Sequence, residues 1–197
     1  MVEITINYLE ENFFMKKIFV FLSRPNPFLD EHEVFLTKLK SLLSKHSIEA
    51  ITLQAANYDL SDSINYLKGM IQRSYGIIIV GFKQIFIEKG CKKPGGKQEE
   101  RFYYSEEIPL DHQFLTSPFC QIEGTIGLLY DLPLLIINEE GLIENGILTG
   151  GRFSFKTDNF SLSNIDDFFA NDVIKMQINA WIGKVNEKYL FLNLKKV

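Results

Sequence analysis

"TSPFCQIEGTIGLLYDLPLLII" (116–137) reads as a helix running into a strand, and its reading decides how the rest of the chain is taken. Ser117 is a favoured N-cap, and Pro118 suits the first helical position, where a missing N–H loses no partner. The run "LPLLIIN" (132–138) is apolar without alternation, as expected of a strand covered on both faces of a parallel sheet. The helix between carries two oddities. Gly124 and Gly127 sit in its interior, and a carboxylate, Glu123, lies beside its apolar residues. Each glycine costs a helix roughly 1 kcal/mol relative to alanine. The usual compensation is close approach, either of a neighbouring strand or of a ligand.

Outward from this stretch the same grammar repeats. "KIFVFL" (17–22) and "GIIIVG" (76–81) are continuous apolar runs, and "IEAITL" (48–53) is a weaker one. "DEHEVFLTKLKSLLSKH" (30–46) places Val34, Leu36, Leu39, Leu42 and Leu43 at helical spacing behind an Asp30 cap. "SDSINYLKGMIQRS" (61–74) offers Ser61 as a cap and Ile64, Leu67, Met70 and Ile71 as a buried face. A fifth strand is expected in "GRFSFK" (151–156). A long C-terminal helix is expected over about 171–192, with Val173, Ile174, Ile178, Trp181, Ile182, Val185 and Tyr189 on its packed side.

The alternation predicts an α/β fold: a single-domain, flavodoxin-like (Rossmann-like) open parallel sheet of about five strands, with helices on both faces. The domain is expected over 17–197. Residues 1–16 read as an N-terminal extension, with Met15 an equally good start. Residues 82–115 form an insertion loop of unusual length with a turn at Pro94-Gly95-Gly96, read either as a solvated excursion that could hold a hairpin or as a lid or binding loop.

Composition removes several function classes. The chain is 46% hydrophobic and 23% charged with a net charge of -4, both signs scattered, which argues against capture of nucleic acid or an anionic membrane. "MKKIFVFLS" (15–23) imitates a signal peptide, but its apolar core is too short. No run approaches the ~20 apolar residues of a membrane span. Cys91 and Cys120 form no framework, which suits a reducing cytoplasm. His32, His46 and His112 are scattered, and no metal site is expected. Neither GxGxxG after a strand nor GxxxxGK[ST] occurs, and GxSxG is missing too.

At ~100° per residue, Phe119, Ile122, Ile126, Leu129 and Tyr130 share one broad apolar face. Glu123 lies at its edge, Gly127 further round and Gly124 beyond. Ligands of open α/β sheets bind outside the carboxyl ends of the strands, where helices begin, so Glu123 is placed to face that crevice. Glycines also pack helices onto sheets without any ligand, and a flanking Glu is often a solvated edge residue. Spacing alone leaves both readings open.

Ser117-Pro118-Phe119-Cys120-Gln121-Ile122-Glu123 resembles the S-x-W-C-x-x-E segment of Toll/interleukin-1 receptor (TIR) domains, with Phe119 in place of the tryptophan. The block "SPFCQIEGTIGLLYDLPLLII" also resembles nucleoside 2-deoxyribosyltransferases, and "IFVFLSRPNPF" (18–28) is similar to their first strand and its "FLAxPF"-like loop. The resemblance implies a glutamate acting at C1′ of a ribose, here Glu123, as in TIR members that cleave NAD. It implies no cofactor, since NAD enters as substrate. The loop Ser23 to Phe28 follows the first strand and opens at the carboxyl edge, where Ser23 could border a substrate, Arg24 could pair with a phosphate, Asn26 could hydrogen-bond a base or ribose, and Phe28 could stack on a ring. Gly81, Phe82, Ser117, Phe119 and Gly127 would border the same crevice. A rigid two-proline turn, a strand end and an N-cap explain several of these residues equally well.

Three functions follow. The first is an NAD-cleaving hydrolase or cyclase of the kind found in bacterial antiviral defence, gated by an activating protein partner or by homo-oligomerisation. The second is a nucleoside or nucleotide 2-deoxyribosyltransferase-like enzyme, for which Asp59, Asp111 or His112 would have to protonate a neutral base. The third is a non-catalytic nucleotide-binding sensor or scaffold.

Overall fold

The computed structural model describes residues 17–53, 63–99 and 103–194. The expected extension at 1–16, the Ser61 cap and Asp59 therefore lie outside the described residues. Three of the apolar runs become the centre of a five-stranded sheet. In chain order its strands are β1 (Ile18–Ser23), β2 (Ile48–Ile51), β3 (Ile77–Gly81), β8 (Leu134–Asn138) and β9 (Ser154–Lys156). They lie in the order β2-β1-β3-β8-β9, and every pairing is parallel. This is the flavodoxin-like order, with its switch point between β1 and β3. β3 and β8 are buried along their whole length, which is why neither alternates in sequence.

Alternate strand residues feed two cores. Val20, Leu22, Ile78, Val80, Leu135 and Ile137 point to the layer of helices α1 (Asp30–Ser44), α4 (Ile165–Ala170) and α5 (Asp172–Leu194). Phe21, Ile77, Ile79, Leu134 and Ile136 point to the layer of α2 (Ser63–Gln72) and α3 (Pro118–Leu129). Trp181 of α5 is fully buried and donates its indole N–H to the Pro133 carbonyl at 2.9 Å, tying the last helix to the start of β8.

Several local expectations are corrected. Leu29, not Asp30, is the N-cap of α1, and Asp30 is its first helical residue. The buried face accordingly runs through His32, Phe35, Leu36, Leu39 and Leu43, leaving Val34 exposed. In α2, Leu67 and Ile71 are buried but Ile64 is 70% exposed. Val173 of α5 is also exposed. The 82–115 excursion is an arm that does hold paired strands, as the hairpin reading allowed. β4 (Ile85–Ile87) pairs antiparallel with β7 (Gln113–Leu115), and further out β5 (Cys91–Lys92) pairs with β6 (Ile108–Pro109).

The largest correction concerns α3. Its buried residues are Cys120, Glu123, Gly124 and Gly127; of the apolar stripe, Ile126 and Tyr130 pack against the core while Phe119, Ile122 and Leu129 face outward. Contact distance explains the inversion. A Cβ on Gly124 would lie 2.5 Å from Ile79 Cδ1 and 2.8 Å from Ile147 Cδ1, and one on Gly127 would lie 2.8 Å from Ile77 Cγ2. The helix rests on β3 through Gly124 and Gly127, so no larger side chain fits at those two positions.

A contrast between two glycines tests this reading. Gly127→Ala gains roughly 1 kcal/mol in helix propensity but meets Ile77, and net destabilisation of about 1–2 kcal/mol is expected. Gly183 of α5 has nothing within 4 Å of a Cβ, so Gly183→Ala should stabilise by up to about 1 kcal/mol. Urea unfolding of both variants decides; equal stabilisation would show that α3 has room to spare.

Candidate functional site

Three elements meet at the switch point, at the carboxyl edge of the sheet. β1 ends at Ser23, whose register partner is Ile79 of β3, and Ser23 points to the α3 side like Phe21 two residues before it. β7 hands the chain through Thr116 to Ser117, whose hydroxyl accepts the Phe119 N–H at 3.3 Å and starts α3. In its second turn Glu123 comes round to the inner side, facing the end of β1. Only 5% of Glu123 remains exposed.

Burial dominates the electrostatics. Desolvation raises the Glu123 carboxyl from its ordinary 4.5 to about 7, against the Ser23 hydroxyl and the positive charge of Arg24, both of which lower it. The hydroxyl stops short of ordinary hydrogen-bond geometry, and Ser23 Oγ is enclosed without a partner. Arg24 is half-buried; its Nη1 donates to the Pro25 carbonyl at 3.0 Å and its Nε is enclosed without a partner. Burial lowers the Arg24 pKa while Glu33 and Glu123 hold it up.

Two residues not singled out by the sequence complete this cluster. Thr116 is buried, and its Oγ1 has no partner. Cys120 is fully buried, and desolvation pushes its thiol up to about 12, with Glu123 adding to the effect and Ser23 and Thr116 opposing it. It is a neutral thiol at physiological pH and no nucleophile. The signal for Thr116 was its place just before a Ser-Pro cap. Cys120 stood in the S-x-W-C-x-x-E resemblance, where it was given no role.

The structure brings Ser23, Arg24 and Glu123 together and separates other candidates from them. Phe82 is in the opposite core, stacked on His32 at 4.1 Å. Gly81 ends β3, but Asn138 Oδ1 and Leu142 already fill the space over its Cα. Gly127 is spent on Ile77 and cannot touch a ligand. Ser117 is buried as the cap, Phe119 is 45% exposed, Asn26 is exposed, and Phe28 is exposed with its ring edge on His32 at 4.8 Å. Asp111 and His112 belong to the strand arm, where Asp111 accepts the Gly90 N–H.

A second carboxylate marks the other side of the sheet edge. Glu139, directly after β8, accepts the Lys83 N–H at 2.8 Å and faces Lys83 Nζ at 3.5 Å. His32 is fully buried 3.9 Å from it, too far for a hydrogen bond, and burial lowers the histidine pKa despite Glu139. His32 Nδ1 receives the Phe28 N–H at 3.5 Å, which puts its proton on Nε2. Glu139 was legible by the rule that strand carboxyl ends carry sites, yet its cationic and backbone partners make it a tie between β3 and β8. A cavity of about 680 Å³ opens between Leu128, Leu132, Pro133, Phe153 and Phe155, at the amino ends of β8 and β9, and Glu123 does not line it.

The raised carboxyl has a measurable cost. Below pH 4.5 the group is neutral whether the chain is folded or unfolded. Between 4.5 and about 7 the unfolded chain releases this proton while the native state keeps it, so native stability falls as pH rises. Glu123→Gln should therefore match the wild type near pH 4 and exceed it at pH 8 by up to about 3 kcal/mol. Denaturant unfolding at both pH values gives the answer; a pH-independent difference would mean the carboxyl is solvated.

No protein family and no curated protein matches the chain. Among solved structures it is similar to the Clostridium botulinum CMP N-glycosidase BcmB, at 11% sequence identity and a TM-score of 0.45, over 77% of this chain and 94% of that one.

Proposed function

We propose that this chain cleaves the N-glycosidic bond of a nucleotide, with Glu123 acting at C1′ of the ribose and NAD as the substrate. The supporting observation is the position of Glu123, a buried carboxyl with a pKa of about 7 at the carboxyl end of β1, beside Ser23 and Arg24. The same residue carries the TIR-like and deoxyribosyltransferase-like resemblance of 117–123.

Cleavage develops positive charge at C1′, and a carboxylate in a site poor in water stabilises that charge more than a solvated one would. As the C1′–N bond breaks, its electron pair passes to nitrogen. In NAD the pyridinium thereby becomes neutral nicotinamide, and no general acid is needed. Water then adds to C1′ and gives up a proton. Ionised Glu123 can instead bond C1′ first, and its raised basicity makes it a better nucleophile than an ordinary carboxylate. Arg24 supplies the positive charge for a phosphate. We place the activity in the cytoplasm, in antiviral defence or signal-nucleotide production, gated by a protein partner or by self-association.

The raised basicity also favours a second reading, a deoxyribosyltransferase-like exchange through the covalent intermediate. The test incubates purified protein with NAD, and separately with a deoxynucleoside and a second base, followed by chromatography. Expected are free nicotinamide, a loss of at least about a hundredfold with Glu123→Gln, and a kcat/KM that rises with pH to a plateau above about 7. Exchange of bases without nicotinamide release selects the second reading. Recovery of intact nucleotide, with thermal stabilisation of the protein, would leave a binding module.

A further inference from the structure

The cavity of about 680 Å³ at the amino ends of β8 and β9 lies on the sheet edge opposite Glu123, and the proposed reaction makes no use of it. Its floor is apolar, formed by Leu128, Leu132, Pro133 and Phe155. Beside it the chain makes a tight turn before β9. The Ser154 N–H bonds the Gly151 carbonyl at 3.1 Å, and Ser154 Oγ accepts the Gly151 N–H at 2.8 Å. Gly150 enters this turn at φ +72°, where an L side chain would be strained. Its two central residues, Arg152 and Phe153, both line the cavity. Phe153 is 80% exposed and meets no other ring among the described residues, and Arg152 is exposed with no ion pair among them. A braced turn thus sets an uncovered ring and an unpaired cation at the mouth of an apolar hollow.

We propose that this cavity binds a small molecule with a planar aromatic body and one anionic group. Size favours a small molecule, since such sites are concave and hold ~300–1,000 Å³. The walls favour a ring: Phe153 and Phe155 offer aromatic surface, and ring pairs gain energy beyond the area they bury. Charge favours an anion. The lining carries two bases, Arg152 and Lys184, against one acid, Asp131. Lys184 is paired with Glu187 at 2.7 Å on its own helix, an exposed contact of the kind that holds a side chain weakly. Arg152 is the uncommitted group, and its planar guanidinium matches a carboxylate, sulfonate or phosphate through paired hydrogen bonds. The site is independent of whether Glu123 cleaves a nucleotide.

Fluorescence titration of the full chain tests this with two dyes. One is 8-anilinonaphthalene-1-sulfonate, and the other is N-phenyl-1-naphthylamine, which has the same rings without the sulfonate. The sulfonate dye should bind a single site, and more tightly than the neutral dye. Arg152→Gln should weaken the sulfonate dye more than about tenfold and leave the neutral dye unchanged. Phe153→Ser should weaken both. Asp131→Asn, which the residue's φ of +52° accommodates, should tighten the sulfonate dye, a gain that no folding defect produces. Glu123→Gln should bind both dyes like the wild type, and excess NAD should displace neither. The inference is overturned if the wild type binds no dye, if both dyes bind equally, or if Arg152→Gln and Phe153→Ser change nothing. Displacement by NAD also overturns it, because the dye would then sit at the nucleotide edge.

Discussion

The close contact of α3 with the sheet is the constraint on which the rest depends. Gly124 and Gly127 bring the helix axis down onto Ile77 and Ile79, where any Cβ would collide. A helix held further out would leave Glu123 in water. Held this close, the second turn delivers the carboxyl under the end of β1, and burial moves its pKa to about 7. The backbone flexibility of two glycines, unfavourable in an isolated helix, is thus converted into the placement of one acid.

That acid contrasts with the other buried carboxylate at the same edge. Glu139 accepts a backbone N–H and has Lys83 beside it, so its charge is met inside the fold. Glu123 has no ion pair among the described residues, and the polar atoms around it, Ser23 Oγ and Thr116 Oγ1, are themselves buried without partners. Unsatisfied groups of this kind are uncommon in folded interiors and cost stability. His32 Nε2 beside Glu139 and Asn138 Oδ1 are likewise without partners, so what distinguishes the two carboxylates is the Lys83 that faces Glu139. The stability comes from elsewhere: two apolar cores, with Trp181 and Phe35 at full burial in one of them.

Helix α3 also shows why hydrophobicity was a poor guide to its orientation. A count of apolar residues puts Phe119, Ile122 and Leu129 against the sheet. The structure puts the smallest side chains and a carboxylate there instead, because contact distance decided the matter. The stripe is therefore split: Ile126 and Tyr130 pack against the core, while Phe119, Ile122 and Leu129 are exposed.

The sequence alone determined the α/β alternation, the parallel character of the central strands and their flavodoxin-like arrangement, because strands buried on both faces must be continuously apolar. It also singled out Glu123, and it placed Ser23 and Arg24 at the strand end that faces it, since strand and helix ends are marked by local chemistry. Only the tertiary structure decided which side of α3 is inside, that Gly127 and Phe82 serve packing, and that Thr116 and Cys120 join the cluster. Those outcomes turn on distances of a few tenths of an ångström between elements far apart in the chain, and local periodicity carries no record of them.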